Sequence, residues 1–400
     1  MQKAFAARRP GVAFAAALVS LSFLAPLAVH IFFPAMPMVR VAFGISDALA
    51  QSAASIVLFT MALLTLVYGT LSDRYGRRPL LLAGIGLFLA GTALAAVAWR
   101  VEVLLAGRVL QAVGAACGIT LSRTMAHDVY PPERLVRAIA MLTMAYTLGP
   151  MIAPPLGGIL VDAFGWRSVF ALAFGFGAII AALAWSAAFE TRPAGRTAPG
   201  FRALVLGYRR LFSDARFCGH VFQMGFATGV FFTMAAGASF VMKDYLQRPA
   251  TEYGLYFLAF PLGFFSGSLI ASRLSGRVRI ETMVLAGSVI LVLAAAAEAF
   301  FVLADLLVPL TLFAPGFFVT FAQGISLPSA QAGAMAVDRT LAGTASGIAV
   351  FMQFFFSAAM TQLFGFASDG TPYPLMVLAL AGAVGALAAG AIPYLRARRG

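Results

Sequence analysis

The residues from Gly69 to Pro79 read GTLSDRYGRRP, a cluster of four charges and two glycines between two long apolar segments. The whole chain has 400 residues, of which 61% are hydrophobic and only 11% are charged. In an ordinary globular domain, about a quarter of the residues are charged. This composition indicates a membrane protein, in which the cluster lies in a short loop at the membrane surface.

Twelve apolar stretches of this chain are long enough to cross a bilayer, which takes about 20 residues of helix. We predict spans at residues 12–34, 48–70, 79–99, 102–125, 135–162, 166–188, 217–241, 252–272, 281–302, 306–329, 341–367 and 373–394. The predicted fold class is therefore an all-α polytopic membrane protein with twelve transmembrane helices.

Basic residues are distributed unevenly over the loops between these spans. The formal net charge is +13, and 22 of the 28 Lys and Arg residues lie on the same side as the N-terminus. Because cytoplasmic loops are enriched in Lys and Arg, we predict that both termini are cytoplasmic. A nucleic-acid partner is not expected, since these residues form no patch on a soluble face.

The cysteines and histidines offer neither a disulfide framework nor a metal site. Cys117 and Cys218 fall in different predicted helices. His30, His127 and His220 are far apart and have no Cys or acid at ligand spacing. We expect no metal and no cofactor.

A long polar connection at residues 191–216 divides the chain into two halves. Each half, at residues 1–190 and 217–400, contains six predicted spans. A duplicated six-helix unit would explain this arrangement, because many transporter folds are built from such repeats.

The loop that contains the charged cluster recurs in the second half. A shift of 200 residues places the Gly-Arg pair at 276–277 on Gly76 and Arg77, and places Arg273 on Asp73. The second copy therefore keeps a basic loop and loses the acid, which predicts that the first half carries the stronger ionic contacts.

The residue types in the cluster suit a gate at the membrane surface. Gly69 permits close approach of a neighbouring helix, and Gly76 permits the turn. Arg77 can bridge to an acid such as Asp128, and such contacts would hold one side shut and break when it opens. The alternative is that the arginines only anchor the topology. The candidate gating residues are Gly69, Asp73, Arg74, Gly76, Arg77 and Asp128.

The pattern G-x-L-x-D-R-x-G-R-R-P resembles the loop signature of the major facilitator superfamily, and the resemblance covers the whole chain. Four other segments resemble the bicyclomycin and chloramphenicol resistance branch of its drug/proton antiporters. They are PLAVHIFFPAMP (Pro26–Pro37), RTMAHDVYP (Arg123–Pro131), LGPMIAPPLGG (Leu148–Gly158) and AGTASG (Ala342–Gly347). The resemblance implies two six-helix bundles and export of drugs in exchange for protons.

The fifth span carries a run that resembles the antiporter signature of this branch. Glycine and proline loosen a helix and allow close packing, here at the interface between the halves. A kinked packing helix without any role in export is the alternative. The residues concerned are Gly149, Pro150, Pro154, Gly157 and Gly158.

His30 is a departure from the branch, whose members commonly carry an aspartate at this position for proton coupling. Histidine has an unperturbed pKa near 6.5 and can exchange a proton at physiological pH. Our hypothesis is that His30 takes part of the coupling role. The alternative is a neutral histidine that is hydrogen-bonded within the helix packing.

Arg108 is the clearest charge within a predicted span, where an arginine costs about 2.5 to 3.5 kcal/mol on insertion scales. The resemblance implies a role in proton transfer or in anion and substrate recognition, and the alternative is a structural bond to helix carbonyls. Glu298 also lies within a span, but we expect it to be structural or interfacial.

The substrate surface is expected to consist of adaptable apolar contacts with few polar groups. Few fixed charges remain inside the bundle, which favours amphipathic or neutral compounds of moderate size. The candidate cavity residues are Phe33, Gln111, Tyr146, Gln223, Phe231, Met234, Gln323 and Gln353.

Together these features predict proton-coupled export of small lipophilic compounds by alternating access, with the lipid bilayer, protons and the substrate as the partners of a monomer. No G-x-x-x-x-G-K-[ST] signature occurs, so the energy would come from an ion gradient. A proton-coupled uptake symporter of the same fold is the alternative function. A membrane enzyme is not expected, because no acids or histidines cluster in the sequence.

Overall fold

The computed structural model describes residues 11–192 and 201–398, and within these ranges twelve helical segments are long and apolar enough to cross a membrane. The first six segments contain seven α-helices. These are α1 (Val12–His30), α2 (Met36–Phe43), α3 (Asp47–Tyr75), α4 (Arg77–Ala96), α5 (Val101–Val129), α6 (Pro132–Phe164) and α7 (Ser168–Ala187).

The remaining described residues contain eight α-helices, of which the first lies in the linker. These are α8 (Phe201–Phe212), α9 (Ala215–Phe240), α10 (Ala250–Tyr256), α11 (Ala259–Leu274), α12 (Ile280–Leu303), α13 (Pro309–Val337), α14 (Ala342–Ala367) and α15 (Tyr373–Ala397). The all-α prediction with twelve membrane-spanning segments is confirmed.

Three spans are interrupted, and the interruptions make them longer or more bent than predicted. The first span continues past residue 34 through a 3₁₀ turn (Phe33–Ala35) into α2, and so ends at Phe43. Pro34 and Pro37 have no backbone N–H, so the chain cannot continue as one regular helix there. The seventh span ends in a π turn (Val241–Tyr245), and the eighth consists of α10 and α11.

The twelve spans alternate in direction, so the bundle has two faces. We call the end that holds Val12 and Ala397 the near face, and the end that holds Gly44 and Gly370 the far face. The two halves meet along two helix pairs, α3 with α14 and α6 with α10. Most other helix contacts lie within one half, and these pairs therefore form the interface across which the halves can move.

The duplicated loop contains a glycine with positive φ in both halves. Gly76 has φ of 96° and Gly276 has φ of 75°, values that side chains with a Cβ rarely adopt. Gly76 is the single residue between α3 and α4, whereas Gly276 lies within the longer turn between α11 and α12. The two loops therefore share the glycine with positive φ, while their lengths outside the helices differ.

The linker contains a helix that the sequence analysis did not predict. From α8, Arg210 forms an ion pair of 2.9 Å with Asp338, which lies between α13 and α14. A Cβ at Gly207 would contact the Leu341 side chain at 3.4 Å. The helix thus lies against the second half at the near face.

Candidate functional site

A cavity of about 330 Å³ lies between the two halves, a volume within the range of small-molecule sites. Its walls come from both halves, through α1, α5, α6, α9, α11, α13 and α14. The lining residues are His30, Ile119, Arg123, Thr143, Tyr146, Thr147, Pro150, Met224, Thr228, Phe231, Phe232, Phe260, Pro261, Phe264, Thr320, Gln323, Leu327, Pro328, Gln331, Val350, Gln353 and Phe354.

Four residues named as cavity candidates line this space, and four do not. Tyr146, Phe231, Gln323 and Gln353 are at the wall together with His30 and Pro150. The residues that lie elsewhere are Phe33, Gln111, Gln223 and Met234. All four side chains are buried. Gln111 and Gln223 form hydrogen bonds within their own halves, whereas the Phe33 ring centroid lies 6.3 Å from those of Phe232 and Phe257 in the second half.

The reasons differ among these four residues. Gln111 accepts a hydrogen bond of 2.5 Å from Arg108 and donates one of 2.9 Å to Thr92. Gln223 donates to Ser288 Oγ at 3.4 Å. Phe33 packs against His30 outside the lining, and Met234 is 1% exposed. A polar residue in a membrane helix can thus be satisfied by a neighbouring helix without facing a substrate.

His30 sits in a cage of phenyl rings at the end of α1. The ring centroids of Phe33, Phe231, Phe232 and Phe257 lie 5.4, 6.1, 5.7 and 6.0 Å from the imidazole centroid. Its Nδ1 has no hydrogen-bond partner, although the residue is only 4% exposed. The imidazole is therefore held by ring contacts, and its Nδ1 receives no hydrogen bond from the helix packing.

Arg108 is fully buried inside the first half and does not line the cavity. Its Nε donates to Ala53 O at 2.9 Å, and its Nη1 donates to Ala28 O at 3.0 Å. The guanidinium carbon lies 4.4 Å from the centroid of the Phe32 ring, close enough for a cation–π contact. These bonds join α5 to α3 and to α1, and the bond to α1 is made two residues before His30. Such bonds to helix carbonyls are those expected if Arg108 has a structural role.

The charged cluster forms an ionic network at the near face, around the Arg77 guanidinium. Its Nη2 lies 2.7 Å from Asp73 Oδ1, and its Nε lies 3.0 Å from Asp128 Oδ2. A third contact joins its Nη1 to Ser72 Oγ. Among the described residues, all these partners belong to the first half, so the network does not bridge the halves in this conformation.

Two other members of the cluster have looser surroundings. A Cβ at Gly69 would meet no atom within 4 Å, so the close helix approach expected there is absent in this conformation. Arg74 is exposed, and its guanidinium lies over the Tyr75 ring at 5.3 Å from the centroid. The halves are apart at this point of the near face, which leaves both residues without a neighbouring helix from the other half.

Glu190 is a member of this network that the sequence analysis missed. It accepts hydrogen bonds from the backbone N–H groups of Arg77 at 2.9 Å and Arg78 at 3.2 Å. A carboxylate at a helix N-terminus satisfies free N–H groups and the helix dipole. The end of the sixth span therefore holds the start of the third span in place.

The far face contains an ion bridge between the halves. Arg40 Nη1 lies 2.8 Å from Asp47 Oδ1, and Arg40 Nη2 lies 2.7 Å from Asp244 Oδ1. Arg40 and Asp47 belong to the first half, whereas Asp244 belongs to the second. Ser368 Oγ also donates to Asp47 Oδ2 at 2.6 Å across the same interface. The bridge therefore links the two halves at the far face.

Further contacts join α6 to α10 near the same face. Asp162 accepts hydrogen bonds from the backbone N–H groups of Ala250 at 3.1 Å and Thr251 at 2.7 Å. A Cβ at Gly158 would lie 2.3 Å from Ala250 O, so only a glycine fits there without displacement of the backbone. On the other helix, a Cβ at Gly254 would lie 2.5 Å from Pro154 O.

The remaining glycines of the fifth-span run face the first span. A Cβ at Gly149 would lie 2.2 Å from the Pro26 side chain, and one at Gly157 would lie 2.5 Å from Ile31 O. The glycines of α6 thus face two partners, α1 within the first half and α10 across the interface.

These contacts define the conformation of the molecule. The far face is joined across the interface by the Arg40 bridge and by the contacts of α6 with α10. The cavity extends from His30 to Arg123 and Gln331. Arg123 and Gln331 each lie six residues from the near-face end of their helices, α5 and α13. The central cavity is therefore closed off from the far face and extends toward the near face.

A profile of the Major Facilitator Superfamily matches residues 18–361 of this chain. The chain belongs to the major facilitator superfamily. This superfamily is a family of transporters. The twelve spans in two halves, with a cavity between the halves, agree with this assignment.

Relatives in this superfamily include proteins that are named for drug resistance. Multidrug resistance protein D of Escherichia coli (strain K12) is 28% identical over 349 residues, which cover 86% of each chain. Chloramphenicol resistance protein CraA of Acinetobacter baumannii is 25% identical over 331 residues, which cover 80% of this chain and 78% of that protein.

Solved structures of other transporters have the same fold. The crystal structure of a bacterial homolog to the human lysosomal transporter Spinster, in an inward-facing and occupied conformation, superimposes with a TM-score of 0.73. The match covers 96% of each chain at 17% sequence identity. This similarity concerns the fold alone.

Sequence reasoning missed the far-face residues of this superfamily member almost completely. Arg40 follows the first predicted span as a single basic residue, and neither Asp244 nor Asp162 is among the candidate residues. The signal available was weak, because each is a single charge at a helix end. Their pairing depends on how the two halves dock, and Arg40 and Asp244 are 204 positions apart.

Proposed function

We propose that this protein exports small lipophilic compounds across the bacterial inner membrane in exchange for protons. The observation that carries the proposal is the central cavity. Its wall contains several phenyl rings and one imidazole, and contacts between the halves close it off from the far face. Its relatives named for multidrug and chloramphenicol resistance support the same function.

The near face is proposed to be cytoplasmic. The loops on that side contain 22 of the 28 basic residues, which is the distribution that the positive-inside rule requires. The cavity then faces the cytoplasm in this conformation, where an exporter takes up its substrate. Both halves come from one chain, so a monomer is sufficient.

Transport requires the halves to rock about the cavity. The Arg40–Asp244 bridge and the Asp162 contacts with α10 must break for the far face to open. At the same time the near face must close, which would bring the end of α3, with Gly69 and Asp73, toward the second half. This assigns the gating role of the charged cluster to the conformation in which the near face is shut.

His30 is proposed to be the proton-carrying group. Among the described residues it is the only histidine at the cavity wall, and its Nδ1 has no hydrogen-bond partner. Proton and substrate compete when the substrate fills the space beside the imidazole and excludes water from it, because an imidazolium needs water or a counter-charge. Arg108 positions this end of α1 through the Ala28 carbonyl and does not carry the proton itself.

The test is a drug-susceptibility panel in a pump-deficient bacterial strain that produces the wild type or single variants. Wild type should raise the inhibitory concentration of chloramphenicol, and His30→Ala should abolish this effect at equal protein abundance. His220→Ala is the matched control, since His220 is a buried histidine outside the cavity. Full resistance with His30→Ala over the whole pH range would contradict the proposed coupling role.

An uptake symporter of the same fold is distinguished by the response to an uncoupler. Cells with an exporter accumulate more substrate when the proton gradient is dissipated, whereas cells with a symporter lose accumulated substrate. We expect uncoupling to raise accumulation. Asp73→Asn and Arg108→Ala in the same assay separate the gating and positioning contributions, because neither changes the cavity wall.

A further inference from the structure

The cavity contains positive groups and no carboxylate. Of its lining residues, all of which lie in the described part of the chain, His30 and Arg123 can carry positive charge and none is Asp or Glu. Tyr146 is the remaining titratable group at the wall. Arg108 lies behind the wall of α1, bonded to Ala28 O. No side chain of the cavity can thus neutralise a cation.

The described carboxylates of the lining helices lie at the helix ends. Asp128, at the near-face end of α5, is paired with Arg77 at 3.0 Å, and Glu102, at the far-face end of the same helix, lies 3.4 Å from Arg100 Nε. Asp162, at the far-face end of α6, accepts the N–H groups at the start of α10. In the described residues, α1, α9, α11, α13 and α14 contain no Asp or Glu at all. The absence of described acids from the cavity is therefore a property of all seven lining helices.

The remaining wall suits an uncharged aromatic molecule. Phe231, Phe232, Phe260 and Phe264 supply ring faces and edges, and threonine and glutamine side chains supply hydrogen-bonding groups. Ring faces also attract cations, by about 0.5 to 2 kcal/mol. That attraction is opposed by repulsion from the Arg123 guanidinium, and the wall offers no carboxylate to offset the hydration that the cation loses.

From this inventory we propose that the cavity selects uncharged aromatic compounds with hydrogen-bonding groups and excludes lipophilic cations from export. The inference rests on the proposed function, because it uses the exchange of substrate for a proton. An anion would be drawn to Arg123 and would favour a protonated His30, so it would move with the proton rather than against it. An uncharged compound competes with the proton by excluding water from the imidazole.

The experiment compares two compounds of similar shape, tetraphenylphosphonium as the cation and triphenylphosphine oxide as the uncharged compound. Binding of each to the purified full-length protein in lipid nanodiscs is measured by titration calorimetry. The wild type should bind the uncharged compound at least about tenfold more tightly, which corresponds to 1.4 kcal/mol.

Gln353→Glu supplies the missing carboxylate with almost no change of shape. Gln353 lines the cavity, and among the described residues its side chain makes only one hydrogen bond, which it donates to Ala349 O of its own helix over 3.4 Å. The variant should bind tetraphenylphosphonium about tenfold or more tightly than wild type, as a charge pair at several ångströms predicts. Gln353→Leu is the control and should bring no such gain.

Three outcomes overturn the inference. The inference is wrong if wild type binds the two compounds with equal affinity. It is also wrong if a folded Gln353→Glu variant binds tetraphenylphosphonium no more tightly than wild type does. Export of tetraphenylphosphonium by wild type in exchange for protons would leave the proposed function intact and refute only the charge selectivity. A protein that binds neither compound and moves no protons with chloramphenicol would remove the proposed function as well.

Discussion

Replacing Asp244 with Asn removes one charge of the far-face bridge and keeps the shape of the side chain. Arg40 would still pair with Asp47 in its own half. The substitution therefore destabilises only the conformation in which the two halves meet at the far face. Two charges about 4 Å apart attract by about 4 kcal/mol at an effective dielectric constant of 20. Desolvation and the ordering of a long side chain, which costs up to about 2 kcal/mol, oppose this attraction.

The exposed fractions of the two side chains decide the net value. Arg40 is 24% and Asp244 is 19% exposed, so the pair lies between an exposed bridge, worth about 0.2 to 1 kcal/mol, and a buried one. We expect Asp244→Asn to destabilise the closed far face by about 1 to 2 kcal/mol. The ratio of far-open to far-closed molecules should then rise about 5- to 30-fold.

Distances between spin labels on the two halves measure this ratio directly. Labels at Val97→Cys and Leu306→Cys report on the far face, because both positions are exposed and lie in different halves. The native Cys117 and Cys218 are free thiols and must be replaced first. A second, longer distance should appear or grow in the double electron–electron resonance trace of the Asp244→Asn protein.

The matched control is Asp305→Asn. Asp305 is at the same face, and its carboxylate accepts a hydrogen bond of 3.2 Å from Tyr245 within the second half. Its φ of 55° suits asparagine as well as aspartate. If Asp244→Asn leaves the distances unchanged, or if Asp305→Asn changes them equally, the reasoning about the bridge is refuted.

Three further substitutions test the packing around the site. Gly158→Leu places a Cβ 2.3 Å from Ala250 O and should abolish transport. A Cβ at Gly175 would meet no atom within 4 Å, so Gly175→Leu should leave transport intact. An active Gly158→Leu protein would contradict the tight contact between α6 and α10. Arg77→Gln removes two carboxylate contacts at the near face and should lower the thermal unfolding midpoint, by an amount that corresponds to about 3 to 5 kcal/mol if the contacts behave as a buried pair. Arg108→Lys cannot reproduce the planar bonds to two carbonyls, so the unfolding midpoint should fall while charge is kept, and an unchanged midpoint would count against the positioning role.

The number and order of the membrane spans could be predicted from the sequence, because a bilayer imposes a length of about 20 apolar residues on each helix. The Gly76 turn and the Arg77–Asp128 pair followed from residue types whose chemistry is local. By contrast, helix α8 is an amphipathic helix of 12 residues, which is too short for the length criterion that identifies a membrane span.

The cavity wall was predictable only in part, for a physical reason. A soluble helix shows its buried face by the period of its apolar residues, but these spans are apolar on all sides and give no such period. Tyr146 and Gln353 face the cavity while Gln111 and Gln223 face neighbouring helices. The rotation of each helix, which decides this difference, depends on packing between elements that are distant in sequence.

Proton movement in proteoliposomes tests the central claim most directly. Vesicles with purified protein and a pH-sensitive dye inside, at an acidic internal pH, receive chloramphenicol from outside. Exchange predicts that chloramphenicol entry drives protons out, so the interior becomes more alkaline with wild type but not with His30→Ala or with protein-free vesicles. An interior that becomes more acidic, or that does not change beyond the protein-free control, would contradict proton-coupled exchange.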